Sequence, residues 1–339
     1  MVKQDCNNQR SFTSISNNDS FSLLKGLDLK QLLIELQSFE PYYRYNLGFL
    51  QDMTFGVEME YEGNSPDEID NIFGKSSCYE WRVKDDDSST KPLAFEVNSP
   101  VLRDLKTDYF GLRTVCKLLK KSKVYTSEGT AAQCHFGAQS IQNVDTLLNL
   151  LLIWCNYEDI IYRFGYGETK KPRNFIHMYA KSIFNLIKVN YDVLKGFDAL
   201  EDLVCFLKNL IPYKEYCINF KNIDGIEESL KNTIEFRNAN GILDEILWQA
   251  LISLYGNLII TSSGKFDIEK LEKELAFRKQ VDEKTVFNDY QKIDLARSLQ
   301  FVDIIFKNNQ DKVFFLNYYL NKKEISEMID FPKLYYIGK

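Results

Sequence analysis

Met53-Thr54-Phe55-Gly56-Val57-Glu58-Met59-Glu60-Tyr61-Glu62 is the stretch on which the reading of this chain turns. Apolar Phe55, Val57, Met59 and Tyr61 alternate with Glu58, Glu60 and Glu62. Successive side chains of a strand point to opposite faces, so the stretch predicts a strand with one apolar and one acidic face. Three more stretches repeat the pattern. In Leu93–Asn98, Glu96 sits between Phe95 and Val97. In Ala131–Ala138, Gln133 and His135 lie opposite Ala132, Cys134 and Phe136. In Thr233–Asn238, Glu235 and Arg237 lie opposite Ile234 and Phe236.

Any one such strand is an ordinary half-wet strand. Together the four are harder to dismiss. A merely solvated face would also use Lys, Thr and Ser, whereas three of these strands supply Glu. Another supplies His135, one of only 2 His in the chain. Like charges facing each other across a sheet are destabilising. A divalent cation removes that cost, and Mg²⁺ takes carboxylate oxygens while sharing substrate phosphates. Arg237, two residues beyond Glu235, carries a planar fork that matches phosphate oxygens.

Outward from these strands, helical spacing marks Phe21–Phe39 (ended by Pro41), Asp104–Lys121, Ile141–Phe164 and Leu243–Ile260. Phe175–Leu210 holds one or two further helices, and Trp81–Lys84 a short strand. Asp85–Lys91 reads as a polar turn, and the segment after Glu62 as a Gly/Ser/Pro/Asp loop. The predicted class is α+β, a mainly antiparallel sheet with helices on one face and a helical C-terminal extension. The expected organisation is a disordered leader over 1–20, an N-terminal helical segment over 21–50, a catalytic domain over 51–264 and the extension over 265–339.

Composition narrows the function. The chain has 339 residues and a net charge of −6, which argues against a general nucleic-acid binder. Met1–Ser20 is polar and lacks the apolar core of a secretory signal. Ile246–Gly264 is uncharged, but Gln249, Ser253 and Asn257 recur every fourth residue, which reads as the polar stripe of an amphipathic helix and not as a membrane span. The 7 Cys form no C-x-x-C pair, consistent with a reduced, cytoplasmic protein. No phosphate-loop G-x-x-x-x-G-K-[ST] and no G-x-S-x-G elbow is present. Cys134 and His135 are neighbours on a strand and face opposite sides, a poor geometry for a nucleophile and its base.

Phe55-Gly56-Val57-Glu58-Met59-Glu60 resembles the opening F-G-x-E-x-E strand of the amidoligase family, in the glutamine synthetase and glutamate–cysteine ligase superfamily. Trp81-Arg82-Val83 with Asp86 and Ser88 resembles its W-x-V-x-x-D-x-S segment. Phe95-Glu96-Val97-Asn98-Ser99-Pro100 resembles its E-x-x-S-P strand end, and Thr233-Ile234-Glu235-Phe236-Arg237 its late T-x-E-F-R strand. The motifs run in family order across about residues 52–262. The resemblance implies a curved, glutamine-synthetase-like sheet and an ATP-dependent carboxylate–amine ligase. By that likeness Glu58, Glu60, Glu96, Gln133 and Glu235 would hold Mg²⁺. Arg237, His135 and Glu96 would be the catalytic residues, with His135 and Arg237 also facing the ATP phosphates. The substrates would be a small amine and a carboxylate, peptide or protein, with no nucleic acid or membrane partner.

The family's third strand usually reads G-x-H-x-H, where this chain has Ala131-Ala132-Gln133-Cys134-His135. Gln133 either offers a carbonyl oxygen to the metal or marks a weakened site, and a catalytically inactive scaffold relative is the second reading. Arg163 and Arg173 flank a basic loop that either binds phosphate or carboxylate or is simply solvated. His177, in an apolar run, reads as structural, as does the aromatic cluster Phe314–Tyr319. A two-metal nuclease is disfavoured, because Glu96 is followed by Val97 and Asn98 and not by a Lys two positions on.

Overall fold

The computed structural model describes residues 29–78, 80–86, 93–223 and 232–330. The expected leader 1–20, residues 21–28 of the N-terminal segment, and Ser88 lie outside the described residues. Among the described residues seven strands form one sheet: β1 (Thr54–Glu62), β2 (Arg82–Asp85), β3 (Ala94–Asn98), β4 (Leu102–Arg103), β5 (Ala131–Gly137), β6 (Ile218–Asn219) and β7 (Thr233–Asn240). Their order is β2-β3-β1-β5-β7-β6, with β4 paired to the start of β1, and each of these pairings is antiparallel. The sheet is open and the chain is α+β, as the alternating strands predict.

Thirteen α-helices occur among the described residues. The first four are α1 (Leu29–Ser38), α2 (Pro66–Gly74), α3 (Lys106–Lys121) and α4 (Val144–Gly165). Next come α5 (Ile176–Tyr179), α6 (Phe184–Leu194), α7 (Leu200–Leu210) and α8 (Glu245–Ser262). The chain continues through α9 (Ile268–Phe277), α10 (Val286–Asp289), α11 (Leu295–Ile305), α12 (Asn309–Leu320) and α13 (Lys322–Asp330).

Helices α3, α4 and α8 cover the apolar face of the sheet, and the contacts are aromatic. Phe55 of β1 stacks on Tyr109 of α3 with centroids 5.9 Å apart. Phe236 of β7 is sandwiched between Trp154 of α4 at 5.7 Å and Tyr255 of α8 at 4.4 Å. Such pairs add about 0.5–1.5 kcal/mol each beyond the burial of their area. The opposite face of the sheet is left to the polar side chains.

Two local expectations are corrected. The segment after Glu62 is not all loop but contains α2. Ser65 stands at its N-cap position, Pro66 opens the first turn, and Asp67 and Glu68 complement the helix dipole. The polar stripe of α8 does not face water. Gln249 and Ser253 are buried. The Gln249 amide accepts from Arg44 N at 2.8 Å and donates to Arg44 O at 2.6 Å, so it pairs with a chain segment laid over the helix. No helix among the described residues is long and apolar enough to cross a membrane.

The helices after α8 pack onto α4 and α8, and α13 packs on α1, so one hydrophobic core runs through the described chain. Phe314–Tyr319 belongs to that core, with Phe315 stacked on Phe164 of α4 at 4.6 Å. Between α1 and the last two helices, Gln37 Nε2 donates to Ser326 Oγ at 2.7 Å and Asn317 Nδ2 to Leu36 O at 3.0 Å.

Candidate metal centre

Register brings the polar residues of the four strands together. Glu58 lies opposite Gln133, Glu60 opposite Glu96, and His135 opposite Glu235. Between Ala132 and Cys134 of β5 the register with β7 slips by one residue. Such a bulge re-aims side chains. Here it sets Arg237 and Asn238 against Gln133. Asn238 turns into the core, where its amide meets Tyr255 Oη at 2.7 Å, and Arg237 turns the other way.

The result is a polar cleft of about 440 Å³ lined by Glu58, Glu60, Glu96, Gln133, His135, Glu235 and Arg237. Asp85 and Asp86 also line it, as do Lys84, Lys214, Asn219, Lys221 and Asn222. The strand residues singled out by alternation therefore share one site, except Glu62, whose Oε1 accepts from Ser127 Oγ at 2.6 Å away from the cleft. The lysines and asparagines were not foreseen. Lys84 lies on the edge strand β2, and its Nζ pairs with Glu96 at 3.0 Å. Asn219 lies on the two-residue β6, too short to show a period, and its Nδ2 donates to Glu235 Oε2 at 2.7 Å.

Three donors stand apart from the rest. Ligand atoms of Glu58, His135 and Glu235 lie within 4.8 Å of one another. His135 Nε2 is 3.0 Å from Glu58 Oε1, yet this buried nitrogen makes no aligned hydrogen bond. Two neighbouring ligands at about 2.1 Å from one octahedral ion sit about 3 Å apart, which is the spacing seen here. The other ring nitrogen, Nδ1, is 3.3 Å from Thr233 Oγ1, an outer contact that orients the ring. Glu235 is held by Asn219 and by Arg237 Nη1. The three groups thus fit a single divalent cation with several positions left for other ligands. Two carboxylates suit Mg²⁺ or Mn²⁺, and the imidazole extends the set toward softer ions.

Glu60 lies outside this cluster. Glu60 Oε2 accepts from Ala131 N at 2.7 Å and Oε1 from Gln133 Nε2 at 3.2 Å. Burial pushes the Glu60 carboxyl up from the usual range, the Arg173 charge works against that, and Asp86 and Glu96 reinforce it.

No protein-family model matches this chain. No curated protein matches it either.

The two loop arginines have other partners. Arg163, on α4, donates from Nη2 to both carboxylate oxygens of Glu324 of α13, at 2.7 and 2.8 Å, and from Nη1 to Gln291 O. It does not line the cleft, and it serves to tie α13 to α4. Arg173 is buried, not solvated, and donates to Ala239 O at 2.8 Å and Arg237 O at 3.3 Å, bracing β7 from beside the cleft. His177 is exposed on the four-residue α5 and takes no part in the core. Cys134 faces the core, buried on the apolar side, and burial holds its thiol well above its ordinary range, so it is no nucleophile.

Proposed function

We propose that this chain is an ATP- and Mg²⁺-dependent carboxylate–amine ligase with a sheet of the glutamine-synthetase-like type. The observation that carries the reading is the clustering of Glu58, His135 and Glu235, beside Arg237, on the polar face of an antiparallel sheet. Glu58, His135 and Glu235 would hold the ion, which would supply positive charge against the phosphate oxygens of ATP. Lys214, Lys221 and Arg237 add cations on the same cleft wall. In the proposed reaction a substrate carboxylate oxygen attacks the γ-phosphorus and ADP leaves, giving an acyl phosphate. The amine nitrogen then attacks the acyl carbon and inorganic phosphate leaves. Arg237 would offset charge building on the transferring phosphoryl oxygens. Its Nε is buried and has no hydrogen-bond partner among the described residues, which leaves a donor available.

The test is calorimetric titration of a non-hydrolysable ATP analogue, with Mg²⁺ and then with EDTA. Binding in the micromolar range, roughly −8 kcal/mol, is expected only with the metal, and Glu235→Gln is expected to lose it. Equal affinity in EDTA, or an unaffected Glu235→Gln, would refute the proposal. A catalytically silent relative is the second reading, favoured by the engagement of Gln133 with Arg237. ATP hydrolysis linked to any acceptor would exclude it.

A further inference from the structure

We propose that Gln133 is not a metal ligand but a positioning residue for Arg237, and that the cleft accordingly holds one divalent cation and not a pair. The inference rests on the metal-dependent reading above and deepens it. Arg237 Nη1 donates to Gln133 Oε1 at 2.5 Å, and Gln133 Nε2 donates to Glu60 Oε1 at 3.2 Å. The orientation of this amide is fixed by its partners. Arginine has only donors, so the atom facing it must be the carbonyl oxygen. Even a protonated Glu60 would not reverse the amide, because Arg237 still could not accept.

The oxygen that Gln133 would need as a ligand is therefore aimed at a permanent cation. A divalent ion bound to this neutral oxygen would sit against the guanidinium and be repelled by it, without the carboxylate charge that offsets the same neighbour at Glu235. Glu60 and Glu96, the remaining members of a second site, lie outside the cluster of ligand atoms that Glu58, His135 and Glu235 form. Glu60 takes a donor on each oxygen, from Ala131 N and from Gln133, and Glu96 pairs with Lys84 at 3.0 Å. What Gln133 does is link two charged groups on either side of it. Its Oε1 holds Arg237 Nη1, which also meets Glu235, and its Nε2 anchors that arrangement to Glu60. The bulge that sets Arg237 against Gln133 serves the same contact.

The experiment uses the full chain, with Mn²⁺ followed by electron paramagnetic resonance and inorganic tripolyphosphate as the anion probe. One Mn²⁺ per chain is expected. Gln133→Met, close in volume, should leave Mn²⁺ affinity within about twofold, while Glu58→Gln lowers it about tenfold or more. Retained Mn²⁺ binding also shows that the Met variant is folded. Tripolyphosphate affinity in the presence of Mn²⁺ should fall about tenfold in Gln133→Met and in Arg237→Gln, with the double variant no weaker than Arg237→Gln alone. Two Mn²⁺ per chain would overturn the proposal, as would a Gln133→Met loss of Mn²⁺ matching that of Glu58→Gln. Losses that multiply in the double variant would equally overturn it. A parent chain that binds no Mn²⁺ would remove the functional reading itself, and this inference with it.

Discussion

Replacing Lys170 by methionine should abolish a pH dependence of stability that a single buried ammonium imposes. Lys170 follows the short 3₁₀ turn Gly167–Thr169 in a left-handed conformation and is 7% exposed. Its Nζ donates to Tyr318 O of α12. Burial pushes it down to about 7 from the ordinary 10.5, the Arg163 charge adds to that, and Glu324 opposes it. The unfolded chain therefore binds more protons than the folded one between pH 7 and 10.5, so stability rises with pH across that window. The full slope is about 1.4 kcal/mol per pH unit, and the whole interval amounts to about 5 kcal/mol at most. Between pH 6 and 8.5 the parent should gain about 2 kcal/mol on Lys170→Met, which never carries the charge. Buried Cys116, Cys134, Cys155 and Cys217, whose thiols burial pushes up, act in the opposite direction at the upper end of that range. They contribute equally to both proteins and cancel in the comparison. Urea unfolding at pH 6, 7, 8 and 8.5 reads the effect as a midpoint difference that shifts by roughly half a molar across the series. A difference that stays constant with pH would refute the reasoning, since the ammonium would then be as well solvated folded as unfolded.

Other outcomes follow from single contacts. His135→Ala should weaken Mn²⁺ binding about tenfold or more, measured by the same spin-resonance titration, because it deletes one of the three clustered donors. Glu158 is fully buried and accepts from Trp154 Nε1 at 3.0 Å, Ile183 N at 3.1 Å, Tyr290 Oη at 2.8 Å and Ser182 Oγ. Glu158→Ala orphans these donors and should cost about 3 kcal/mol or more by chemical denaturation, with Glu158→Gln distinctly milder. Gly256→Ala would put a Cβ 2.3 Å from Phe49 Cζ, so the ring must move, and a loss of about 1–2 kcal/mol is expected despite alanine's better helix propensity.

The cleft residues of β1, β3, β5 and β7 are legible because alternation needs no tertiary information. A strand with one buried face must carry its polar groups on the other, and β1, β5 and β7 are long enough to display the pattern. What the pattern lacks is the partner of each group. Gln133 as an amide facing the cleft is readable, whereas its arginine 104 positions away is not. Arg163 sits in a suggestive stretch, but Glu324, 161 positions later, claims it. The stripe on α8 shows the same limit. A period of four places Gln249 and Ser253 on one side of a helix without saying whether that side meets water or the Arg44 backbone. Helix α2 is hidden for a different reason, since the start signature Ser65-Pro66-Asp67-Glu68 is made of residues that also form turns.

The pairing of α1 with α13 sets an order of events during synthesis. Gln37 and Ser326 are 289 positions apart. At about 5–20 residues per second, roughly 15–60 s separate their appearance. Throughout that time Leu32, Leu33 and Leu36 lack the last helices that bury them in the finished fold. A growing chain can thus pair β1 with β3, β5 and β7 well before α1 finds its cover. The first described helix is among the last to be secured, and it stays within reach of chaperones and proteases until translation of α13 is complete.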